Sequence, residues 1–274
     1  MSRERIERRF AEVRGRGRAA FMPYFTLGYP TPEASLEVVR GLLAGGADLL
    51  ELGVPFSDPL ADGPVLQAAA QQALASGTTW PRALELVARI RSWDDEVPLV
   101  LLVYANTACA RGVERFVAEV AQAGADGVIL PDWPPDEGDG LREALAGAGL
   151  AAVGLVSPVS PAERIAAIAA ASQGFLYAVS VTGVTGERPE LSRELGPLVQ
   201  RIRRVSALPV AAGFGISRPE DAQAAARLAD GVIVGSALAR QVAGTQGQDL
   251  ERLARDLARR YRKALEEAAL SDAG

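Results

Sequence analysis

Gly46-Ala47-Asp48-Leu49-Leu50-Glu51-Leu52-Gly53-Val54-Pro55-Phe56-Ser57-Asp58-Pro59-Leu60-Ala61-Asp62-Gly63-Pro64 decides how the chain is read. Glycine ends a helix well, and a short Ala-Asp link turns the chain into an apolar run, Asp48 to Val54. That run is continuous rather than alternating, the pattern of a strand in a parallel sheet covered by helices. One acid, Glu51, sits inside it. Burying an unpaired carboxylate is costly, so Glu51 is either paired with a polar group of the core or kept for chemistry. Asp62 follows eleven positions later, where Pro and Gly are too frequent for helix or strand. Two carboxylates therefore lie near one strand exit, a placement suited to proton transfer. Asp62 is equally suited to capping a helix that begins at Pro64.

Outward from this stretch the same punctuation recurs. Gly124-Ala125-Asp126 and Leu228-Ala229-Asp230 each follow a helical stretch and precede an apolar run. At roughly 30 residues per βα unit the three sites are about two and four units apart, which suits an eightfold barrel of about 250 residues. Strands are expected at 21–27, 48–54, 99–105, 127–130, 151–156, 175–180, 209–212 and 231–234. Helices are expected between them at 31–44, 64–76, 81–92, 113–123, 139–148, 161–171, 191–205 and 219–228. A charged helix opens the chain at 3–14 and a long one closes it at 250–269. Strict alternation predicts one α/β domain over 1–274, a closed (β/α)8 TIM barrel with an extra N-terminal helix and an extra helix after strand two. An open, doubly wound sheet is the alternative.

Composition narrows the chemistry. With 29 Lys and Arg against 34 Asp and Glu the net charge is -5, and no basic run marks a nucleic-acid partner. The single cysteine, Cys109, cannot form an internal disulfide, which fits a reducing compartment. Residues 1–18 are charged and lack the apolar stretch of a signal peptide, and Glu4, Glu7 and Glu12 argue against a transit peptide. No apolar run reaches membrane-spanning length, so a soluble cytoplasmic protein is expected. The chain has no histidine, which excludes Cys-His and Ser-His-Asp mechanisms and histidine-ligated metal; no metal site is expected. Its only lysine, Lys263, falls in the closing helix, so a Schiff-base aldolase lacks its amine.

In a barrel of this kind, function sits on the loops after the strands. Distinctive residues cluster there: Asp58 and Asp62, then Tyr104-Ala105-Asn106, then Pro131-Asp132-Trp133-Pro134. The last three strands lead into Ser180 to Gly186, Gly213-Phe214-Gly215-Ile216-Ser217 and Gly235-Ser236-Ala237. These three loops read as a phosphate cradle, in which glycines let backbone N–H groups approach an anion and a helix beginning at Gly-Ser adds partial positive charge. Backbone dipoles can carry such a site without Lys or Arg. Ordinary turns would explain any one of these loops alone. Asp58 before Pro59 reads as a turn residue, and Tyr104 as packing.

Phe21 to Pro30 (FMPYFTLGYP), Glu51 to Pro64 (ELGVPFSDPLADGP), Gly183-Val184-Thr185-Gly186 and Gly213-Phe214-Gly215-Ile216-Ser217 together resemble the tryptophan synthase alpha chain family, from about Arg5 to Ala264. The block at 51–64 is the specific part. The resemblance implies a (β/α)8 barrel that cleaves indole-3-glycerol phosphate to indole and glyceraldehyde 3-phosphate by a retro-aldol step. It implies that Glu51 is the acid/base group and that Asp62 accepts the indole N–H. Tyr177 matches a tyrosine near the substrate, and Thr185 the loop threonine that meets Asp62 when the lid closes. Gly186, Phe214, Gly215, Gly235 and Ser236 match the phosphate-binding positions. Loops 55–63 and 180–190 are rich in Gly and Pro and suit closure over the ligand.

The resemblance further implies no cofactor in this chain. The partner would be the beta chain, which carries pyridoxal phosphate and receives indole through a tunnel within an alpha-beta-beta-alpha tetramer. The interface would lie around Asp58, Tyr104 to Asn106 and Pro131 to Pro134. Two departures stand out: Thr107-Ala108-Cys109, where the family usually has Pro or an aliphatic pair, and Tyr24, where Phe is commoner.

Overall fold

A computed structural model describes residues 2–133, 140–180, 188–213, 215–245 and 249–271. Eight parallel strands close into a barrel in sequence order. They are β1 (Ala20–Thr26), β2 (Leu50–Gly53), β3 (Leu99–Leu102), β4 (Gly127–Ile129), β5 (Ala151–Val156), β6 (Leu176–Val179), β7 (Val210–Gly213) and β8 (Gly231–Val234). β8 pairs back onto β1, with Ala20 opposite Gly231, so no edge is left open. This settles the choice between closed barrel and open sheet.

Side chains alternate along each strand. Phe21, Phe25, Leu50, Leu52, Leu99 and Leu101 pack outward under the helices. Met22, Tyr24, Val100, Leu102, Tyr177 and Ala211 fill the interior. The charged opening helix α1 (Ser2–Gly15) turns Ile6, Phe10 and Val13 into the bottom of the barrel, Phe10 meeting Phe175 at 5.7 Å. The continuous apolar runs are thus real two-faced strands, with the inner face plugged from below.

The Ala-Asp links do more than turn the chain. Before β2, the Asp48 N–H donates to the Phe21 carbonyl at 2.9 Å, and its carboxylate accepts the Phe21 N–H at 2.8 Å. Asp126 grips Leu99 of β3 in the same way, and Asp230 grips Val210 of β7. Before β6, Gln173 repeats the pattern on Ala152 of β5. The device therefore occurs before every even strand, and the sequence repeat misses the fourth copy because an amide replaces the acid. Arginines neutralise the three carboxylates: Arg18 and Arg262 at Asp48, Arg5 and Arg91 at Asp126, and Arg14 and Arg203 at Asp230.

Most expected helices are present: α2 (Pro32–Ala44), α3 (Pro64–Ala75), α4 (Trp80–Trp93), then α6 (Val113–Gln122), α7 (Leu141–Gly147), α8 (Ala162–Ala170), α9 (Arg188–Arg203) and α10 (Pro219–Ala226). The extra helix after β2 is found. A short helix was not anticipated: α5 (Ala105–Arg111) begins where the third apolar run was expected to continue. The run 99–105 was too long because its last residues, though apolar, leave the sheet after Leu102. After β8 come α11 (Ser236–Ala243) and the closing α12 (Leu250–Ser271), which packs on α2.

Candidate active site

Glu51 projects from the second residue of β2, beside Tyr24 of β1 in the register. Alternation turns it inward. Its side chain is 1% exposed, and neither carboxylate oxygen makes a hydrogen bond of normal geometry. Among the described residues Glu51 thus has no hydrogen bond of normal geometry, although the Tyr177 hydroxyl lies close enough to act on it. Burial pushes its carboxyl up to about 8, and the Asp62 charge adds to the rise. The nearby Tyr177 hydroxyl works in the opposite direction.

Asp62 stands on the loop between β2 and α3. It does not cap α3: the N-cap is Gly63, with no side-chain cap bond. Burial raises the Asp62 carboxyl to about 6, with the Tyr104 hydroxyl holding it down. Tyr104 also accepts the Ala61 N–H at 3.1 Å and stacks on Phe56 at 5.1 Å. The reading of Tyr104 as packing is thus incomplete, because its hydroxyl ties the loop that carries Asp62 to the exit of β3. No local sequence signal marks this, since the two residues meet only through adjacent strands.

Both acids line one cavity of about 490 Å³ at the C-terminal mouth of the barrel. Tyr24, Leu102, Leu155, Tyr177, Val179 and Ile233 supply most of its apolar wall. Two strand glycines make that wall possible. A Cβ on Gly53 would meet the Tyr24 hydroxyl at 2.1 Å, and one on Gly213 would meet Tyr177 Cε2 at 2.2 Å. Without those Cβ atoms the two rings lean across neighbouring strands. Tyr24, noted as a departure from the resembling family, points its hydroxyl to Thr26 Oγ1 at 3.4 Å.

Gly213, Gly215, Gly235 and Ser236 line the same cavity. Gly235 is the N-cap of α11, so the first N–H groups of that helix open at this wall. Arg240, one turn further along α11, also lines the cavity. Sequence reasoning missed it, because the cradle needs no cation in principle and Arg240 lies beyond the glycine loop. Its spacing of four from Ser236 was the available signal.

Among the expected site residues, Glu51, Asp62, Tyr177, Gly215, Gly235 and Ser236 therefore come together around one space. Thr185, Gly186 and Phe214 lie outside the described residues. Among the described residues, no group of three His, Cys, Asp or Glu side chains could hold a metal ion. No described helix is long and apolar enough to cross a membrane.

The arrangement offers a proton donor, a second acid that ionises at lower pH, an apolar slot between them and a wall of N–H groups for an anion. A sequence-family model described as the tryptophan synthase alpha chain matches residues 10–269. The tryptophan synthase alpha chain of Caulobacter vibrioides is 45% identical over 242 residues, 88% of each chain. That of Halorhodospira halophila is 45% identical over 265 residues, 96% of this chain and 97% of its own. Among solved structures, tryptophan synthase subunit alpha from Legionella pneumophila superposes with a TM-score of 0.88 at 37% identity, covering 96% of this chain and 98% of that one. Mycobacterium tuberculosis tryptophan synthase gives 0.87 at 37% identity, covering 95% of this chain and 98% of that one.

Proposed function

The chain belongs to the tryptophan synthase alpha chain family, and from that premise we propose how its own residues carry the family's reaction. That reaction is the retro-aldol cleavage of indole-3-glycerol phosphate to indole and glyceraldehyde 3-phosphate in tryptophan biosynthesis; the chain is a carbon–carbon lyase.

The observation that carries the assignment of roles is a buried Glu51, with no hydrogen bond of normal geometry among the described residues, sharing one cavity with Asp62 and the glycine wall. With its carboxyl at about 8, Glu51 is mostly protonated at neutral pH. It gives its proton to indole C3 and makes an indolenine cation. The bond from C3 to the glycerol carbon then breaks, and its electron pair returns to the ring. The Glu51 carboxylate takes the proton of the glycerol hydroxyl as that carbon becomes the aldehyde, which restores the starting state. Asp62, at about 6, is largely ionised at the same pH. It accepts the ring N–H and stabilises the cation while positive charge is present. Two carboxyls with separated proton affinities thereby take separate tasks.

Tyr177 closes the apolar slot beside Glu51. Gly215, Gly235 and Ser236 hold the phosphate with backbone N–H groups and a hydroxyl, and Gly186 and Phe214 complete that cradle. The anchored phosphate fixes the reacting carbon near Glu51. Thr185 meets Asp62 on loop closure. The chain acts as one barrel domain over 1–274 in the cytoplasm and needs no cofactor of its own.

The family's partner is a beta chain, and we assign its docking face to the barrel mouth in an alpha-beta-beta-alpha tetramer. Two features support that face. The Ala105 N–H donates to Asp132 at 2.8 Å, joining the loops after β3 and β4 into one rim. On the neighbouring loop, Leu60 is 90% exposed, an apolar side chain without cover. The test is release of indole from indole-3-glycerol phosphate by the chain alone and with a beta chain. Full activity in Glu51→Gln sinks the assignment.

A further inference from the structure

Glu51, Asp62 and the start of α11 line one cavity. On α11, Ala237, Leu238, Ala239 and Val242 are buried against the barrel. Residues 236 and 240 are one turn apart, so their side chains share a face, and both line the cavity. Arg240 is the one cation on that lining among the described residues, and it is exposed. Among the described residues it has no carboxylate partner. At the opposite end of the barrel, Arg18, Arg91 and Arg203 are paired with Asp48, Asp126 and Asp230.

We propose that Arg240 is a substrate-binding residue that recognises the phosphate dianion of indole-3-glycerol phosphate, which deepens the reading of the cavity given above and rests on it. Backbone N–H groups and the α11 terminus supply partial charges; Arg240 adds a full one, with a planar fork matched to two phosphate oxygens. A dianion entering a cavity that already holds an ionised Asp62 meets repulsion from that side. Arg240 offsets it, draws the phosphate to the start of α11, and so sets which end of the substrate faces Glu51. Its contribution falls on binding, because the phosphate keeps its charge throughout the reaction.

The test is steady-state cleavage by the full-length chain with Arg240→Gln and Arg240→Lys. Loss of a charge-assisted contact at an exposed position raises KM for indole-3-glycerol phosphate roughly 5- to 30-fold with kcat within about twofold. Lysine recovers part of the loss, and the ionic-strength dependence of kcat/KM becomes shallower in the glutamine variant. Competitive inhibition by glycerol 3-phosphate weakens by the same factor, while affinity for uncharged indole stays at the wild-type value. A KM within twofold of wild type in Arg240→Gln, or a fall in kcat at constant KM, overturns the inference. Glu51→Gln measured alongside separates the two claims. If it abolishes turnover while Arg240→Gln leaves KM unchanged, only the role of Arg240 fails. If it retains turnover, the reading of the whole cavity fails.

Discussion

Replacing Glu51 by glutamine is expected to remove catalysis and, above neutral pH, to strengthen the fold. The side chain is 1% exposed and, among the described residues, neither oxygen makes a hydrogen bond of normal geometry, so the fold opposes its ionisation. Its carboxyl rises from an ordinary 4.5 to about 8. A raised carboxyl favours the folded state fully below its unfolded value, and that advantage is lost as pH climbs to the folded value. The glutamine variant has no proton to lose and lacks this slope. At about 1.4 kcal/mol per tenfold change in proton affinity, the variant gains on wild type by about 2–3 kcal/mol between pH 5 and 7 and by about 4 kcal/mol between pH 5 and 9. The absolute offset is set by the buried amide, whose unmet hydrogen bonds cost about 1–3 kcal/mol at every pH. The pH dependence of the difference therefore isolates the carboxyl. Urea unfolding of both proteins across this range is the assay, alongside indole release, which should fall about 10²- to 10⁴-fold. A stability difference that stays flat from acid to alkaline pH refutes a buried, unpaired Glu51. Stabilisation with activity retained refutes its role as proton donor.

The pH profile of kcat/KM should be bell-shaped, falling above about 8 as Glu51 loses its proton and below about 6 as Asp62 gains one; an acid limb that persists in Asp62→Asn would remove Asp62 from the account. In Asp62→Asn, kcat should drop by roughly 10²-fold, because the charge stabilises the cation formed along the reaction far more than the neutral ring of the bound substrate. Gly213→Ala drives a methyl group into the Tyr177 ring, which a Cβ would meet at 2.2 Å; calorimetry should record a loss of about 1–3 kcal/mol together with reduced turnover. At the other end of the barrel, Asp126→Ala strands Arg5, Arg91 and the Leu99 N–H. It should cost about 3–5 kcal/mol in unfolding experiments while leaving KM near wild type.

Much of the fold was legible because its signals are local. A strand covered on both faces needs apolar residues throughout, and a helix needs a start and a stop, so alternation could be read in order along the chain. The boundary at β3 failed for the same reason: Val103, Tyr104 and Ala105 look like strand, but α5 begins at Ala105. The Ala-Asp links were visible as a repeat, yet their work on the preceding strand was not. The fourth copy was hidden, since only the pairing of β5 with β6 reveals that Gln173 does the same job.

By itself the sequence determined the alternation of strand and helix and placed one acid within an apolar strand and another just past it. Those facts depend on neighbours a few residues away. Which groups face one another depended on closure of β8 onto β1. That pairing brings α11, with Ser236 and Arg240, to the cavity that holds Glu51, and sets Tyr24 and Tyr177 against glycines of adjacent strands. It also excludes the water that would otherwise keep the two carboxyls at their ordinary acidity. A charge buried by strands distant along the chain has its proton affinity fixed by the assembled barrel, because desolvation is a property of the surrounding volume.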